Sequence, residues 1–243
     1  MLDSRSRSAL CAACLCLLPL LAERAASEPL GEGARLCLYP LQLPLSEGEA
    51  EKRRPLIGRL LTAALADASL AVTDPTAVEA LEERVRQQSG GFIDAPTGNR
   101  DGARYLAYRE RLGAALREEL GCDARLYASV VTLRAAFTSG IARWDGVTRQ
   151  VSSTGRIVMA VLAGVQESGW VSAFSLWLRV TDLLGNDVAF RSAGIETPVQ
   201  FAVLEDKDLV PEDLWLTDEA RLDEAIRSAL GPGGRSLRHD GRP

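Results

Sequence analysis

The side chains that most often carry catalysis are scarce in this chain of 243 residues. Its only histidine is His239, which lies in a C-terminal tail rich in glycine and arginine. A general base has to be held in one orientation by packed neighbours, and this tail offers none. Serine or cysteine nucleophiles paired with histidine are therefore not expected. The sequence also lacks a glycine-rich phosphate loop.

Paired carboxylates are the second candidate for chemistry. Glu118 with Glu119, and Asp206 with Asp208, could hold a metal or act as an acid and a base. Such pairs more often form solvated surface, which is the interpretation we favour. A hydrolase using two carboxylates stays open, because its two acids can lie far apart in sequence. Cysteine and histidine are not clustered as zinc ligands are, so neither a metal nor another cofactor is predicted.

Four tryptophans offer a different chemistry, because indoles are enriched at binding hot spots. Trp177 lies in a predicted strand on the face opposite Phe174, so it is either covered by a helix or exposed to a partner. Trp144 stands beside a predicted tight turn. We take Trp144 and Trp177 as interface candidates, with core packing as the alternative for both.

The N-terminus predicts export. Arg5 and Arg7 precede an apolar run over residues 9–22, and Ala25, Ala26 and Ser27 supply the small residues of a signal-peptidase site. Residues 1–27 are therefore expected to be a signal peptide and the protein to be periplasmic. The run is shorter than the roughly 20 residues of a membrane span, so an integral membrane protein is not expected.

Export decides the state of the cysteines. Of five cysteines, three lie in the leader, and lipid attachment at Cys14 is less favoured because Cys11 stands where a lipoprotein signal has an aliphatic residue. Cys37 and Cys122 remain and are a candidate disulfide in an oxidising compartment, with two free buried thiols as the alternative.

Composition limits the class of protein. A charged fraction of 25% and an apolar fraction of 47% are typical of a globular protein. Residues 28–232 fit one domain, and residues 233–243 are expected to be a disordered tail. The net charge of −5 disfavours nucleic acid, whose phosphates require a basic surface.

The first half alternates strands with helices. Residues 35–39 and 69–72 are predicted strands, and helices follow a capping-box pattern at Ser46 and the Asp74-Pro75 pair. The loop over residues 92–102 is dense in turn formers. A longer helix then ends at Gly121, whose lack of a side chain suits a left-handed stop.

The second half is predicted to be antiparallel. Residues 124–137 form a central strand covered on both sides, Asp145-Gly146 is a tight turn, and residues 170–181 and 188–192 are paired strands. Residues 157–165 fit a buried strand or a short helix, and periodicity does not separate the two. Thr217 is expected to cap a last helix that ends at Gly231. These elements predict an α/β fold: a mixed sheet with helices packed on it, a βαβ-like first half, an antiparallel meander and a C-terminal helix.

Two stretches carry a resemblance to a family. Residues 121–130 (GCDARLYASV) and 175–188 (SLWLRVTDLLGNDV) are similar to motifs of the CsgG and TolB amino-terminal type of bacterial envelope domain. The resemblance spans roughly residues 36–230. It implies a mixed sheet with packed helices, a bacterial envelope setting and scaffolding without catalysis.

These observations together predict an exported bacterial envelope protein that binds another envelope protein or peptide and catalyses nothing. Recognition would use edge-strand pairing or aromatic anchors. The alternatives are the two-carboxylate hydrolase and a small-ligand-binding protein that uses the loop over residues 92–102. A deep pocket of convergent carboxylates would favour the enzyme, and an exposed sheet edge with an aromatic side chain beside it would favour the binding module. The partner and the oligomeric state are left open.

Overall fold

The computed structural model of the protein describes residues 33–93, 97–201 and 208–231. The predicted signal peptide and the predicted C-terminal tail lie outside the described residues. The helices are α1 (Glu47–Asp67), α2 (Pro75–Gln88), α3 (Gly102–Leu120), α4 (Thr154–Leu162) and α5 (Glu219–Leu230). The strands are β1 (Arg35–Leu38), β2 (Ala71–Val72), β3 (Ala124–Thr138), β4 (Ile141–Trp144), β5 (Val147–Gln150), β6 (Ser168–Thr181), β7 (Asp187–Gly194), β8 (Val199–Gln200) and β9 (Asp208–Leu209). A short 3₁₀ turn spans Glu212–Leu214.

Seven of these strands form one mixed sheet, which confirms the predicted fold class. β1 pairs in parallel with β2 and with β3, so the first half is a βαβ arrangement in which α1 makes the crossover. β3 then pairs antiparallel with β6 over its whole length, from Arg125 opposite Thr181 to Thr138 opposite Ser168. β7 continues the sheet beyond β6, and the β4–β5 hairpin extends from the far end of β3.

The largest core lies on the face covered by α1 and α5. Inward side chains of β1, β3 and β6 alternate along each strand and meet the apolar stripes of both helices, with Leu36, Leu126 and Leu178 fully buried. The burial of such side chains is the main favourable term in folding. This face therefore anchors the sheet.

The opposite face is covered by α2 and α3 at one end only. Val78 and Leu81 of α2 and Leu112 and Leu116 of α3 pack there against β1. Asp74 caps α2 by accepting from the backbone N–H of Thr76, Pro75 occupies its first turn, and α3 ends at Gly121 in the left-handed conformation. These local predictions are confirmed.

Two local expectations about helix caps differ from the structure. α1 begins after Ser46, but no capping box forms there, because the Ser46 N–H donates to Glu212 and the Glu49 carboxylate pairs with Lys52. The last helix is capped by Asp218 and not by Thr217. The Thr217 hydroxyl instead donates to the Leu214 carbonyl.

The ambiguous segment over residues 157–165 belongs mostly to a helix. Ser153 caps α4 by accepting from the Arg156 N–H, and none of the nine residues of α4 is buried. The alternative of a buried strand is wrong. None of the helices in the described part of the chain is long and apolar enough to cross a membrane.

Candidate binding cleft

The incomplete cover of one sheet face leaves an open cleft. α2 and α3 pack over the β1 end of this face, while the middle of β3 and β6 stays uncovered. The cleft has a volume of about 1250 Å³. It lies between α2, the segment that follows β1, and the neighbouring strands β3, β6 and β7.

The floor of the cleft follows from strand alternation and register. Arg125, Tyr127 and Ser129 of β3 point to the same face, because side chains two residues apart share a side of a sheet. Ser129 is paired with Trp177, and Tyr127 with Arg179. The span from Arg125, which lines the neighbouring smaller pocket, to Ser129 in the cleft is about 13 Å, at roughly 3.3 Å per strand residue. An extended peptide of about four residues has this length.

Aromatic rings line the floor in two pairs. Tyr39 stacks on Tyr127 with ring centroids 4.3 Å apart, and Trp177 meets Phe190 edge to face at 5.3 Å. Trp177 is 38% exposed and Phe190, on β7, is 48% exposed. β7 pairs only with β6 among the strands that the structure describes. The Trp177–Phe190 pair therefore lies beside a sheet edge, where an added strand could contact both rings.

The wall of the cleft contains a buried hydroxyl. The Tyr39 oxygen is shielded from solvent and makes no hydrogen bond within the described residues. Burial, reinforced by the neighbouring Tyr127, raises the pKa of Tyr39 well above its ordinary value. The hydroxyl thus stays protonated beside the stacked Tyr127.

A smaller pocket of about 490 Å³ opens beside the cleft and shares residues with it, including Glu82 and Tyr127. Arg125 lines this pocket and is only 6% exposed. Its guanidinium donates to the Leu183 carbonyl, its Nε atom has no partner, and no carboxylate of the described chain pairs with it. A buried cation normally has a counter-charge, so this pocket favours an anionic group of a ligand.

Carboxylates from α2 also face the cleft, at the helical spacing of Glu79, Glu82 and Glu83. The Glu82 carboxylate accepts from the Tyr108 hydroxyl at 2.9 Å, and Glu83 pairs with Arg86 at 3.1 Å. Burial, together with Glu82, raises the pKa of Tyr108 to about 12. Glu82 and Glu83 are thus already engaged by a hydroxyl and a guanidinium.

The structure separates the two predicted interface tryptophans. Trp177 lines the cleft and is partly exposed, which fits the prediction that it is accessible to a partner. Trp144 is 8% exposed and packs in a small core under the β4–β5 hairpin, where its indole N–H donates to the Phe174 carbonyl at 3.1 Å. The interface prediction for Trp144 is therefore wrong. The Asp145-Gly146 turn folds the hairpin back over β6, which buries the ring.

The two cysteines meet under α3. Cys37 of β1 and Cys122, which precedes β3, form a disulfide with Cα atoms 5.6 Å apart. The parallel register sets Leu36 opposite Ala124 and so brings the two sulfurs together. The bond fixes the β1–β3 pair that carries Tyr39 and Tyr127.

The remaining candidates stay apart from the cleft or cannot be placed. Glu118 and Glu119 are exposed near the end of α3, and Glu119 pairs with Arg84. Asp206 and His239 lie outside the described residues, as does the side chain of Asp208. Within residues 33–93, 97–201 and 208–231, no three His, Cys, Asp or Glu side chains converge as metal ligands would.

Sequence reasoning missed most of the cleft. Tyr39 directly follows β1, Arg125 lies on β3 and Phe190 on β7, and only the register of the sheet brings them together. A signal was present in β3, where Arg125, Tyr127 and Ser129 alternate with small or aliphatic residues. That pattern marks a polar and aromatic face on a strand whose other face is core.

The predicted ligand loop is partly placed. Phe92 packs against Tyr105 and Tyr108 and lines the smaller pocket, whereas residues 94–96 lie outside the described part of the chain. No protein family model matches this chain, and no curated protein matches it either. The resemblance to CsgG and TolB amino-terminal domains therefore stays a prediction.

Proposed function

We propose that this protein is a non-catalytic binding module of the bacterial periplasm that captures an extended segment of another envelope protein. The observation that carries the proposal is the Trp177–Phe190 pair, exposed between the cleft and the edge strand β7. Large amphipathic rings at such a position are typical anchors of protein interfaces. An extended segment added at a sheet edge also obtains backbone hydrogen bonds from that edge.

The chemistry of the cleft narrows the segment that it would bind. Aromatic or aliphatic side chains fit the rings of Trp177, Phe190 and Tyr127, which provide apolar contact area. An acidic side chain or a C-terminal carboxylate fits the pocket of Arg125 and would neutralise its buried charge. The proposed ligand is thus an extended segment with an acid a few residues from an apolar anchor.

Photocrosslinking identifies the partner at the proposed site. A benzophenone amino acid in place of Phe190 should crosslink a specific envelope protein in cells, and the same group in place of Leu214 should not. Leu214 is exposed in the 3₁₀ turn beside α1, next to the core on the other face of the sheet. Mass spectrometry of the crosslinked peptide shows whether it has the expected acid and apolar anchor.

Affinity measurements with the purified partner then test the anchor. Trp177→Ala should weaken binding by about 30-fold or more, the size of a hot-spot loss of about 2 kcal/mol. Leu214→Ala is the matched control and should bind as the parent does. The proposed site would be refuted if Trp177→Ala and Phe190→Ala both fold and both bind the partner with the affinity of the parent.

A further inference from the structure

Most of the large apolar side chains that the fold leaves exposed lie at one end of the molecule. Of the 13 such side chains in the described residues, seven come from the region between β4 and the start of β6. We call this group the apolar tip. It consists of Ile141, Val158, Met159, Val161, Leu162, Val165 and Trp170. Exposed clusters of this kind mark interaction surfaces.

Helix α4 turns its apolar side chains toward solvent and a charged side chain toward the rest of the protein. In an ordinary surface helix the apolar stripe faces the core and the charges face water. Here the charged residue Arg156 points inward, where it pairs with Glu167 at 2.9 Å and lies over the Phe201 ring. Val161 and Leu162 point outward and are 72% and 77% exposed. An outward apolar face of this kind is typical of a surface that contacts an apolar partner.

The fold holds α4 in this orientation. The Ser153 hydroxyl caps the helix at 3.3 Å from the Arg156 N–H, and Ile157 packs against Gly140 in the β3–β4 turn. Gly140 has a φ of +76°, and a Cβ there would come within 2.8 Å of Ile157. The helix is therefore seated closely on the turn, and its exposed face is a built feature of the structure.

Charge around the apolar tip differs from that of the whole chain. Residues 133–170, which span the whole apolar tip, contain four arginines, one aspartate and one glutamate, whereas the chain has a net charge of −5. Arg134 lies over the Trp170 ring at 5.3 Å, and Trp170 is 60% exposed. Register places Trp170 and Arg143 opposite the same residue, Ala136, so they share one face of the sheet. A tryptophan flanked by arginines is typical of the headgroup layer of a bilayer.

We propose that the apolar tip inserts into the interface of an anionic phospholipid bilayer and seats the protein on a membrane surface. α4, about 14 Å long, would lie in the plane of the interface with Val158, Val161 and Leu162 among the acyl chains. Arg134 and Arg143 would contact the phosphates. A bilayer can cover the whole outer side of a projecting helix, whereas a second copy of the chain would need a groove of matching shape.

Vesicle binding by the mature protein tests this proposal. The protein should sediment with phosphatidylethanolamine vesicles that contain phosphatidylglycerol, and less with phosphatidylcholine alone or at about 0.5 M salt. Trp170 serves as an internal probe, since its emission should shift to the blue on binding and be quenched by lipids brominated on the acyl chain. Trp170→Phe should lose most of the shift and still sediment.

Charge-matched variants separate the apolar tip from a general loss of affinity. Leu162→Asp should bind the vesicles at least about 10-fold more weakly, because it removes a buried leucine from the acyl layer. Leu106→Asp, at an exposed position of α3, makes the same change elsewhere and should bind as the parent does. Val161→Ser gives the test again with a smaller perturbation, should Leu162→Asp unfold the protein.

Three results would overturn the proposal. The first is parent protein that does not bind phosphatidylglycerol vesicles. The second is an equal loss in Leu162→Asp and Leu106→Asp, which would assign the effect to added negative charge. The third is a parent dimer, seen by light scattering without lipid, that Leu162→Asp converts to monomers, which would assign the apolar tip to a second copy of the chain.

Discussion

Truncation of two tryptophans should have opposite consequences for stability and for binding. Trp144 is 8% exposed, and a Cβ at Gly194 would come within 2.6 Å of its indole nitrogen, so Trp144→Ala removes an almost complete set of packing contacts. Such a change costs about 4 kcal/mol of folding free energy. The Phe174 carbonyl keeps its second donor, the Ile195 N–H at 2.8 Å, so loss of the indole hydrogen bond adds at most about 1 kcal/mol.

Trp177→Ala should reduce the free energy of unfolding by less than Trp144→Ala does. Its 38% exposure leaves about two thirds of the burial that Trp144 has, and water can fill the space that its ring vacates. We therefore expect Trp177→Ala to lower the free energy of unfolding by about 2 kcal/mol. The two substitutions are chemically identical, so the difference of about 2 to 3 kcal/mol between them reports the environment of each ring.

Urea denaturation followed by far-UV circular dichroism measures both values in the disulfide-bonded protein. The slope of free energy against urea should be the same for the two variants, so that their midpoints can be compared. The reasoning would be refuted if Trp144→Ala were no more destabilised than Trp177→Ala. It would fail equally if folded Trp144→Ala lost partner affinity that Trp177→Ala retained.

Two further predictions concern the sulfurs and a buried acid. The double variant Cys37→Ala/Cys122→Ala should have a free energy of unfolding about 4 kcal/mol lower than the parent, because the disulfide spans 85 residues and restricts the unfolded chain. The control is the parent protein measured in the same buffer without a reducing agent. Burial raises the pKa of Glu196, which accepts from the Leu216 N–H, so its contribution to stability is greatest below its ordinary value of 4.5 and is lost as pH rises through the folded-state pKa. Glu196→Gln keeps an oxygen for Leu216 and should gain stability relative to the parent as pH rises above 4.5 in urea titrations. A difference that does not change with pH would contradict the assignment.

Local chemistry made several elements predictable from sequence. Asp74 and Pro75 specify the start of α2, and Gly121 specifies the end of α3, because each residue satisfies a backbone requirement of a helix end. The Asp145-Gly146 pair likewise specifies a hairpin turn, and both residues adopt positive φ there. These signals depend on neighbouring residues only.

Long-range packing explains where the predictions failed. The Ser46 capping box is absent because Glu212, remote in sequence, takes the Ser46 N–H. Trp144 is buried because the correctly predicted turn folds over β6, whose pairing with β3 was not predicted. The apolar character of residues 157–165 was correctly predicted. The exposure of these residues could not be, because it depends on the Arg156–Glu167 ion pair, which turns the opposite side of α4 toward the sheet.

The sequence by itself determined the class of fold, the start of α2, the end of α3, the pairing of β6 with β7 and the two cysteines available for a disulfide. These follow from short-range periodicity and from the conformational limits of glycine, proline and capping residues. Only the tertiary structure decided the cleft and the pocket beside it, because Tyr39 follows β1 while Arg125, Trp177 and Phe190 lie on three other strands, and parallel and antiparallel register makes them neighbours. Burial and exposure are properties of the assembled sheet, because they depend on which helices and strands pack against each face. A single sequence does not specify this packing.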